Sequence, residues 1–177
     1  MKILFLSQDY NKKFISFLKT KGIVIWLNQK IDSNIIIDFD WVVSYGYKHI
    51  LSEETIKHSK NKIINLHISM LPYNRGADPN YWSFKENTPK GVSIHFIDKG
   101  IDTGPILIQK QCSFDKSHTL ASSYYLLKET IENLFFDNFD NIIEGKIEPK
   151  PQKGIGSVHY KKDLTEPIDY KLNINKI

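Results

Sequence analysis

Short apolar runs alternate along the chain with segments whose apolar residues recur at helical spacing. The runs Lys2–Leu6, Ile23–Leu27 and Asp40–Ser44 predict buried strands, and a fourth strand contains the run Ile63-Ile64. Short strands separated by helical segments are typical of an α/β fold. The pattern therefore predicts an open, Rossmann-like sheet of mostly parallel strands with helices on both faces.

Helical spacing marks the segments between and after these strands. The first apolar stripe ends at Gly22 and comprises Phe14, Ile15, Phe17 and Leu18. Ser52 is predicted to start a second helix, because its hydroxyl can cap the helix and two acidic residues follow it in the first turn, before Ile56. Thr119 starts a longer helix, and Gly145 ends the helical turn that comes after it. We assign the aromatic members of its stripe to the core; the stripe comprises Leu120, Tyr124, Leu127, Ile131, Leu134 and Phe135.

The second half of the chain adds two strands and a long tail. The strands are predicted at Gly91–Ile97 and Ile106–Cys112, and partial alternation in the first indicates a mixed sheet edge. Pro149–Gly156 is predicted to be an extended linker, and Pro167–Tyr170 is expected to pack back on the sheet. The chain shows no internal repeat, so its 177 residues are expected to form a single domain.

The composition narrows the class of protein. The one cysteine, Cys112, cannot form an internal disulfide, so the cytoplasm is the expected compartment. The apolar run after Met1 is too short for a secretory leader, and no later run approaches a membrane span. The 24 basic and 20 acidic residues are scattered, so the net charge of +4 is weak evidence for nucleic-acid binding. We therefore expect neither a membrane nor a nucleic acid as partner, whereas a homo-oligomer is compatible with the sequence.

Polar side chains follow the run Ile63-Ile64 at the end of the fourth strand. Asn65 and His67 are two residues apart, so the strand period points both side chains to one face. Asp102 lies in a second polar loop, just before a Gly-Pro turn. An amide, an imidazole and a carboxylate form a candidate acyl-transfer site. No spacing favours a metal site. Surface or structural roles are assigned to His49, His58, His95, His118 and His159.

These residues lie within two ordered motifs. The first motif is Asn65-Leu-His67, Ser69-Met-Leu-Pro72, Arg75-Gly76-Ala77 and Trp82, and the second is Asp102-Thr-Gly-Pro-Ile. Together they resemble the motifs of the formyltransferase family, whose members use 10-formyltetrahydrofolate to formylate an amine. The resemblance covers most of residues 40–170. It implies the family's fold with a shortened N-terminal half that is about one βα unit short.

The resemblance also implies a role for individual residues. Asn65 and His67 would stabilise an oxyanion and move a proton, and Asp102 would orient His67. Arg75 would either contact substrate or tie its own loop together. The loop after the third strand would hold the pteridine, and the expected cofactor-binding residues are Ser44, Tyr45, Gly46, Tyr47, Asp98 and Gly100. The expected substrate-binding residues are Gln8, Tyr10, Arg75, Asn80, Tyr81, Trp82, Lys161 and Lys162.

Differences from individual members of the resembled family reduce the number of possible acceptor classes. Glycinamide ribonucleotide formyltransferases carry a glycine-rich phosphate loop where this chain has Ser7–Asn11, without glycine. Methionyl-tRNA formyltransferases carry a further RNA-binding domain, which residues 1–177 do not provide. The leading hypothesis is an N-formyltransferase for a nucleotide-linked amino sugar, as in lipopolysaccharide O-antigen biosynthesis. A methionyl-tRNA formyltransferase-like enzyme, a formyltetrahydrofolate deformylase-like hydrolase and a noncatalytic folate-binding module are the alternatives.

Overall fold

The computed structural model describes residues 1–59 and 62–177. Its strands within those residues are β1 (Lys2–Leu6), β2 (Ile23–Leu27), β3 (Trp41–Tyr45), β4 (Ile63–His67), β5 (Arg75–Gly76), β6 (Gly91–Phe96), β7 (Ile106–Gln111) and β8 (Val158–His159). Its α-helices are α1 (Lys12–Lys19), α2 (Glu53–His58), α3 (Pro79–Lys85) and α4 (Leu120–Ile143). Short 3-10 helices occupy Ser33–Asp38, Lys161–Asp163 and Ile174–Lys176.

The central sheet contains both parallel and antiparallel pairs. Its strand order is β2-β1-β3-β4-β6-β7; the first four strands pair in parallel, and β6 and β7 are antiparallel to their neighbours. The predicted, mostly parallel sheet with a mixed edge is confirmed. The short strands β5 and β8 pair with each other outside this sheet.

Alternation along β1 distributes apolar side chains to two cores. Ile3 and Phe5 pack with α1 and α4 on one face, whereas Leu4 and Leu6 pack with the segment Ser33–Asp38 and α2 on the other. All four side chains are fully buried. A strand buried on both sides must be apolar at every position, which explains the continuous run that predicted it. Helices on both faces are therefore confirmed.

The first helix ends earlier than the sequence pattern predicts. Helix α1 ends at Lys19, and the backbone N–H of Thr20 closes its last turn on the carbonyl oxygens of Phe17 and Leu18. Gly22 was expected to end the helix, but its role is different. A Cβ atom at this position would collide with the backbone carbonyl of Met1, so glycine permits the close approach of the two segments.

Helix α4 and the tail also differ from the expectation. One continuous helix runs from Leu120 to Ile143, capped by the side chain of Thr119, and Gly145 follows it with a φ of +67°. The tail segment around Tyr170 packs on the start of this helix. The N–H of Ala121 donates to the carbonyl of Tyr170 at 2.9 Å, so the tail satisfies a helix-terminal donor that would otherwise lack a partner.

The segment Pro149–Gly156 is not a free linker. Lys150 pairs with Ile106 through two backbone hydrogen bonds of 2.8 Å, and so adds an antiparallel bridge beside β7. Gln152 then reaches the loop between β6 and β7, where its side chain donates to two backbone carbonyls. The segment therefore covers an edge of the sheet and supports that loop.

Candidate active site

Strand β4 and the loop after β6 bring the three predicted catalytic side chains together. Asn65 Nδ2 donates to Asp102 Oδ1 at 3.1 Å, and His67 Nδ1 lies 3.6 Å from Asp102 Oδ2. The backbone N–H of Gly76 donates to the same Oδ2 at 2.8 Å. Asn65 and His67 share a face because they are two apart in a strand. The carboxylate of Asp102 is thus the centre of the cluster.

Asp102 is held ionised by its surroundings. Burial of the carboxyl would raise its pKa, but His67, His95 and the Gly76 N–H outweigh burial and hold the pKa of Asp102 well below its ordinary value. The residue also adopts a left-handed backbone conformation, with a φ of +50°. Such a conformation is uncommon outside glycine and occurs most often at sites where the surrounding structure imposes it.

His67 is oriented by hydrogen-bonding groups on both sides of its ring. Its Nε2 lies 3.0 Å from the carbonyl oxygen of Asn74, and since a carbonyl can only accept, Nε2 carries a hydrogen. Its Nδ1 faces Asp102, so a second proton on the ring would be shared with the carboxylate. The side chain is 7% exposed. With Nε2 carrying a hydrogen, Nδ1 is the ring nitrogen whose lone pair can accept a proton.

His95 is a member of the cluster that the sequence analysis missed. Its Nε2 lies 3.4 Å from Asp102 Oδ1 and 3.4 Å from Asn65 Nδ2, and its side chain is 1% exposed. The antiparallel register places His95 opposite Asn65, thirty residues away in sequence. The signal was present in β6, where Ser93 and His95 alternate with apolar residues and therefore point to one face. We call Asn65, His67, His95 and Asp102 the polar cluster.

Gln152 is a second missed residue, and it explains the position of Arg75. The Nε and Nη2 atoms of Arg75 donate to Gln152 Oε1 at 3.0 and 2.7 Å. Gln152 Nε2 in turn donates to the carbonyl oxygens of Asp102 and Gly104 at 2.8 and 2.9 Å. Arg75 therefore ties loops together, which is the second of its two expected roles.

A cavity of about 1000 Å³ opens over the polar cluster. Its volume lies at the upper end of the range for small-molecule sites. The expected cofactor and substrate residues that line it are Ser44, Tyr45, Gly46, Tyr47, Asp98, Gly100, Asn80, Tyr81 and Lys161. The structure thus gathers the six expected cofactor residues and three of the eight expected substrate residues around one space, with Asn65, His67 and Asp102 in its wall.

Two of these lining residues also form side-chain hydrogen bonds with residues of helix α4. The Tyr45 hydroxyl lies 3.3 Å from Glu132 Oε1, and burial together with that carboxylate raises its pKa far above the ordinary value. Tyr45 therefore offers the cavity its backbone more than its hydroxyl. Asn80 Nδ2 donates to the Leu120 carbonyl and to Ser123 Oγ, both at 3.1 Å, and so joins α3 to α4.

The loop residues Asp98 and Gly100 stand beside the polar cluster. Asp98 Oδ1 accepts hydrogen bonds from the Gly100 N–H at 3.0 Å and from Thr103 Oγ1 at 2.6 Å. This carboxylate closes the turn that carries Asp102. Asp98 therefore has a structural role in addition to its place in the cavity wall.

Five expected substrate residues lie outside the cavity wall, as far as the structure describes it: Gln8, Tyr10, Arg75, Trp82 and Lys162. Tyr10 meets Trp26 edge to face, and Lys162 lies 5.5 Å from the ring of Tyr160. Trp82 stacks on His159 with ring centroids 4.0 Å apart. Trp82 was expected to bind substrate together with Tyr81; the two rings meet edge to face with centroids 5.2 Å apart, but only Tyr81 lines the cavity.

Tyr124 was assigned to the core and is instead a cavity residue. Its side chain is 41% exposed and lines the cavity together with Tyr125 and Tyr170. Tyr124 belongs to the first turns of α4, whereas the core residues Leu127 and Ile131 lie further along the helix, where it covers the sheet. We call Tyr124, Tyr125 and Tyr170 the tyrosine wall.

Neither a metal-binding cluster nor a membrane-spanning helix occurs among the described residues. No group of three or more His, Cys, Asp or Glu side chains in residues 1–59 and 62–177 could hold a metal ion. In the same residues, no helix combines the length and apolar character that crossing a membrane requires.

A solved structure resembles this chain along nearly its whole length. It is the formyltransferase PseJ from Anoxybacillus kamchatkensis, in complex with UDP-4,6-dideoxy-4-formamido-L-AltNAc and tetrahydrofolate. The two sequences are 40% identical, the TM-score is 0.93, and the match covers 99% of this chain and 97% of PseJ.

Curated relatives are longer than this chain. Methionyl-tRNA formyltransferase of Thermodesulfovibrio yellowstonii is 37% identical over 139 residues, 78% of this chain and 44% of the relative. The dTDP-4-amino-4,6-dideoxyglucose formyltransferase of Mycobacterium bovis is 30% identical over 141 residues, 80% of this chain and 59% of the relative. The chain thus spans about half the length of these relatives. The formyl transferase family model matches residues 28–137, more than half of the chain, which therefore belongs to the formyltransferase family.

Proposed function

We propose that this protein is an N-formyltransferase that moves a formyl group from 10-formyltetrahydrofolate to the amine of a nucleotide-linked amino sugar. The observation that carries the proposal is the end-to-end match to PseJ, whose structure holds a formylated UDP-sugar and tetrahydrofolate. The dTDP-4-amino-4,6-dideoxyglucose formyltransferase is a further relative with a nucleotide-linked amino sugar. Both names describe a 4,6-dideoxy sugar with nitrogen at carbon 4, so we infer an acceptor of this class.

The polar cluster supplies the groups that this transfer needs. The amine nitrogen forms a bond to the formyl carbon, the bond from that carbon to N10 of the folate breaks, and one amine proton ends on N10. Asn65 offers amide hydrogens to the developing oxyanion. His67 Nδ1 accepts the amine proton and passes a proton to N10 of the folate, while the adjacent Asp102 carboxylate, 3.6 Å away, stabilises the charged imidazole.

The two ligands are assigned to different parts of the cavity. The folate is placed against Ser44–Tyr47 and the loop of Asp98 and Gly100, because both flank the polar cluster and both line the cavity. Gly46 has a φ of +61° and open space where a Cβ would be, so its backbone is accessible to a planar ligand. These features support a pteridine at this end of the cavity, and we assign the formyl group to the space over Asn65 and Asp102.

The sugar nucleotide is placed at the other end of the cavity. Tyr81 and the tyrosine wall provide aromatic faces for a base or sugar ring. Lys161 lines the same space and offers a cation to the diphosphate, whereas Lys162 lies outside the lining. Lys161 therefore replaces the pair of lysines as the proposed diphosphate contact.

We further infer a cytoplasmic enzyme that works without a nucleic-acid partner and contributes to O-antigen assembly. The single cysteine supports a reducing compartment. Sugar nucleotides in the relatives' names support a small-molecule acceptor. A homo-oligomer is compatible with this proposal.

Mass spectrometry of the acceptor tests the proposed reaction. The purified protein is incubated with 10-formyltetrahydrofolate and UDP- or dTDP-linked 4-amino-4,6-dideoxy sugars, and one formyl group should appear on the sugar. The matched control uses acceptors whose amine is already acetylated, which should not react. Formate release without an acceptor would identify a deformylase instead. Formylation of charged initiator tRNA, with sugar left unchanged, would contradict the assigned substrate.

A further inference from the structure

The imidazole of His95 is fixed in its orientation by a backbone contact. Its Nδ1 lies 2.8 Å from the carbonyl oxygen of Phe96, so Nδ1 carries a hydrogen and donates it. Only Nε2 then remains to face the cluster. The residue is 1% exposed, so water cannot replace the partners of Nε2 at low cost.

The polar contacts of Asn65 account for both of its amide hydrogens. Nδ2 donates to Asp102 Oδ1 at 3.1 Å and lies 3.4 Å from His95 Nε2, which accepts when the ring is neutral. In that state neither hydrogen is directed at an oxyanion in the cavity. A group that donates to the oxyanion must have an N–H that is not hydrogen-bonded to another acceptor in the transition state.

His95 and Asn65 approach the same carboxylate oxygen. His95 Nε2 is 3.4 Å from Asp102 Oδ1, the atom that accepts from Asn65. A neutral His95 presents a lone pair to this oxygen, which is unfavourable, whereas a protonated ring presents an N–H. A proton on Nε2 therefore removes the acceptor that held the second amide hydrogen of Asn65, and His95 then donates to Asp102 Oδ1, a carboxylate oxygen that can accept from both side chains.

We propose that His95 is a positioning residue, which holds the Asn65 amide in reserve when neutral and releases it toward the oxyanion when a proton occupies Nε2. The proposal rests on the proposed function, because it concerns the oxyanion of formyl transfer. Within the described residues, the titratable groups that face His95 are Asp102, from the loop after β6, and His67, whose ring lies 6.2 Å away on β4.

The proposal predicts a specific dependence between two substitutions. His95→Leu should lower kcat about 10- to 100-fold, as expected when a catalytic group is misplaced by about 1 Å, and should leave both KM values nearly unchanged. Asn65→Ala removes the group that His95 positions. The double variant should therefore be no more than about threefold slower than Asn65→Ala alone, because the two residues act as a unit.

The conservative variant His95→Gln keeps a polar group within reach of Asp102 and should restore part of the lost rate. His118→Leu is the matched control, because His118 is half-buried, is outside the cavity lining and contacts Ser122. It should change kcat by less than about twofold. A residue that only supports folding would lower the melting temperature and the rate together, and its effect would multiply with that of Asn65→Ala.

A measurement on the ligand-free protein separates this proposal from the proposed function. His95 is one of the groups that lower the pKa of Asp102, so NMR titration of the Asp102 carboxyl should show a higher pKa in His95→Leu than in the natural protein. This titration tests the role of His95 even if the protein formylates no sugar. An unchanged Asp102 pKa, or multiplicative losses in the double variant, would overturn the positioning role.

Discussion

The polar cluster and the tyrosine wall line one cavity but are built differently. The cluster is tied by contacts of 2.8–3.6 Å to Asp102, and its histidine side chains are 1% and 7% exposed. In the tyrosine wall, Tyr124, Tyr125 and Tyr170 are 41%, 76% and 49% exposed. The cluster is therefore preorganised for chemistry, whereas the wall can adjust to an acceptor. Substitutions in the cluster should change kcat, and substitutions in the wall should change KM.

The largest effect is expected from the cluster itself. Asn65→Ala and His67→Ala should each lower kcat by about two to four orders of magnitude, since one removes an oxyanion donor and the other a proton acceptor. Steady-state kinetics with a nucleotide-linked amino sugar would measure the loss. Thermal unfolding controls for stability, which should change little. A His67→Ala variant with near-normal turnover would show that the cluster is only structural.

The next largest effect is expected at Asp102, where substitution should change both the turnover rate and the pH dependence of folding stability. Asp102→Asn should lower kcat about 100-fold, because a neutral amide no longer stabilises charge on His67. The folded-state pKa of Asp102 lies below its unfolded value of about 3.9, so its ionisation stabilises the fold above that pH. This stability is lost as pH falls through the folded-state pKa.

Urea unfolding checks the sign of this linkage. At pH 7 the natural protein should exceed Asp102→Asn in unfolding free energy, and the difference should shrink as pH drops below about 4. Asp115→Asn is the surface comparison: hydrogen bonds from Ser117 also lower the pKa of Asp115, but solvent screens this exposed carboxylate, so its effect should be smaller than that of Asp102→Asn. A difference that grows toward acid would contradict the direction of the Asp102 pKa shift.

Much of the fold and the chemical centre could be predicted from the sequence, because their signals are local. Continuous apolar runs indicate strands buried on two sides, and the two-residue spacing of Asn65 and His67 fixes their common face. Asp102 stands directly before a Gly-Pro turn, which ends a polar loop. The grouping of Asp102 with Asn65 and His67, in contrast, depended on two separate motifs that resemble those of the formyltransferase family.

The residues that the sequence analysis missed or misplaced depend on distant contacts. Gln152 reaches Asp102 from fifty residues away, and His95 reaches Asn65 from thirty. Tyr124 fits the apolar stripe of α4, but the spacing does not show where the helix passes beyond the sheet. Trp82 was expected at the substrate, yet its partner His159 lies far along the chain. Pairings of this kind follow from tertiary packing and leave no local pattern.

Gln152 offers an intermediate test, because it supports the cluster without belonging to it. Gln152→Leu keeps the side-chain size but removes two hydrogen bonds to the loop of Asp102 and the acceptor for Arg75. Turnover should fall about tenfold through displacement of Asp102, together with a lower melting temperature. Gln109→Leu, which loses contacts to Leu71 and Ser93 instead, is the control. Equal kinetic losses in both variants would contradict a specific role for Gln152.

A smaller effect is expected in the tyrosine wall. Tyr124→Ala should raise the KM of the sugar nucleotide about 2- to 10-fold, the usual range for loss of an aromatic contact, with little change in kcat. Tyr124→Phe retains the ring and should behave like the natural protein if stacking is the interaction. Steady-state kinetics at saturating 10-formyltetrahydrofolate would separate the two parameters. A change confined to kcat would place Tyr124 with the polar cluster instead.

The smallest effect on the KM of the sugar nucleotide is expected from substitution of two adjacent lysines. Lys161 lines the cavity and Lys162 does not, although both are exposed and follow each other in a 3-10 helix. Lys161→Ala should raise the KM of the sugar nucleotide about 2- to 5-fold, because an exposed ion pair contributes only about 0.5–1 kcal/mol. Lys162→Ala should leave it unchanged. The Lys161 effect should also diminish at 0.5 M salt, since ions screen exposed charges. Equal effects of the two substitutions would point to a general attraction of the basic surface rather than a diphosphate contact.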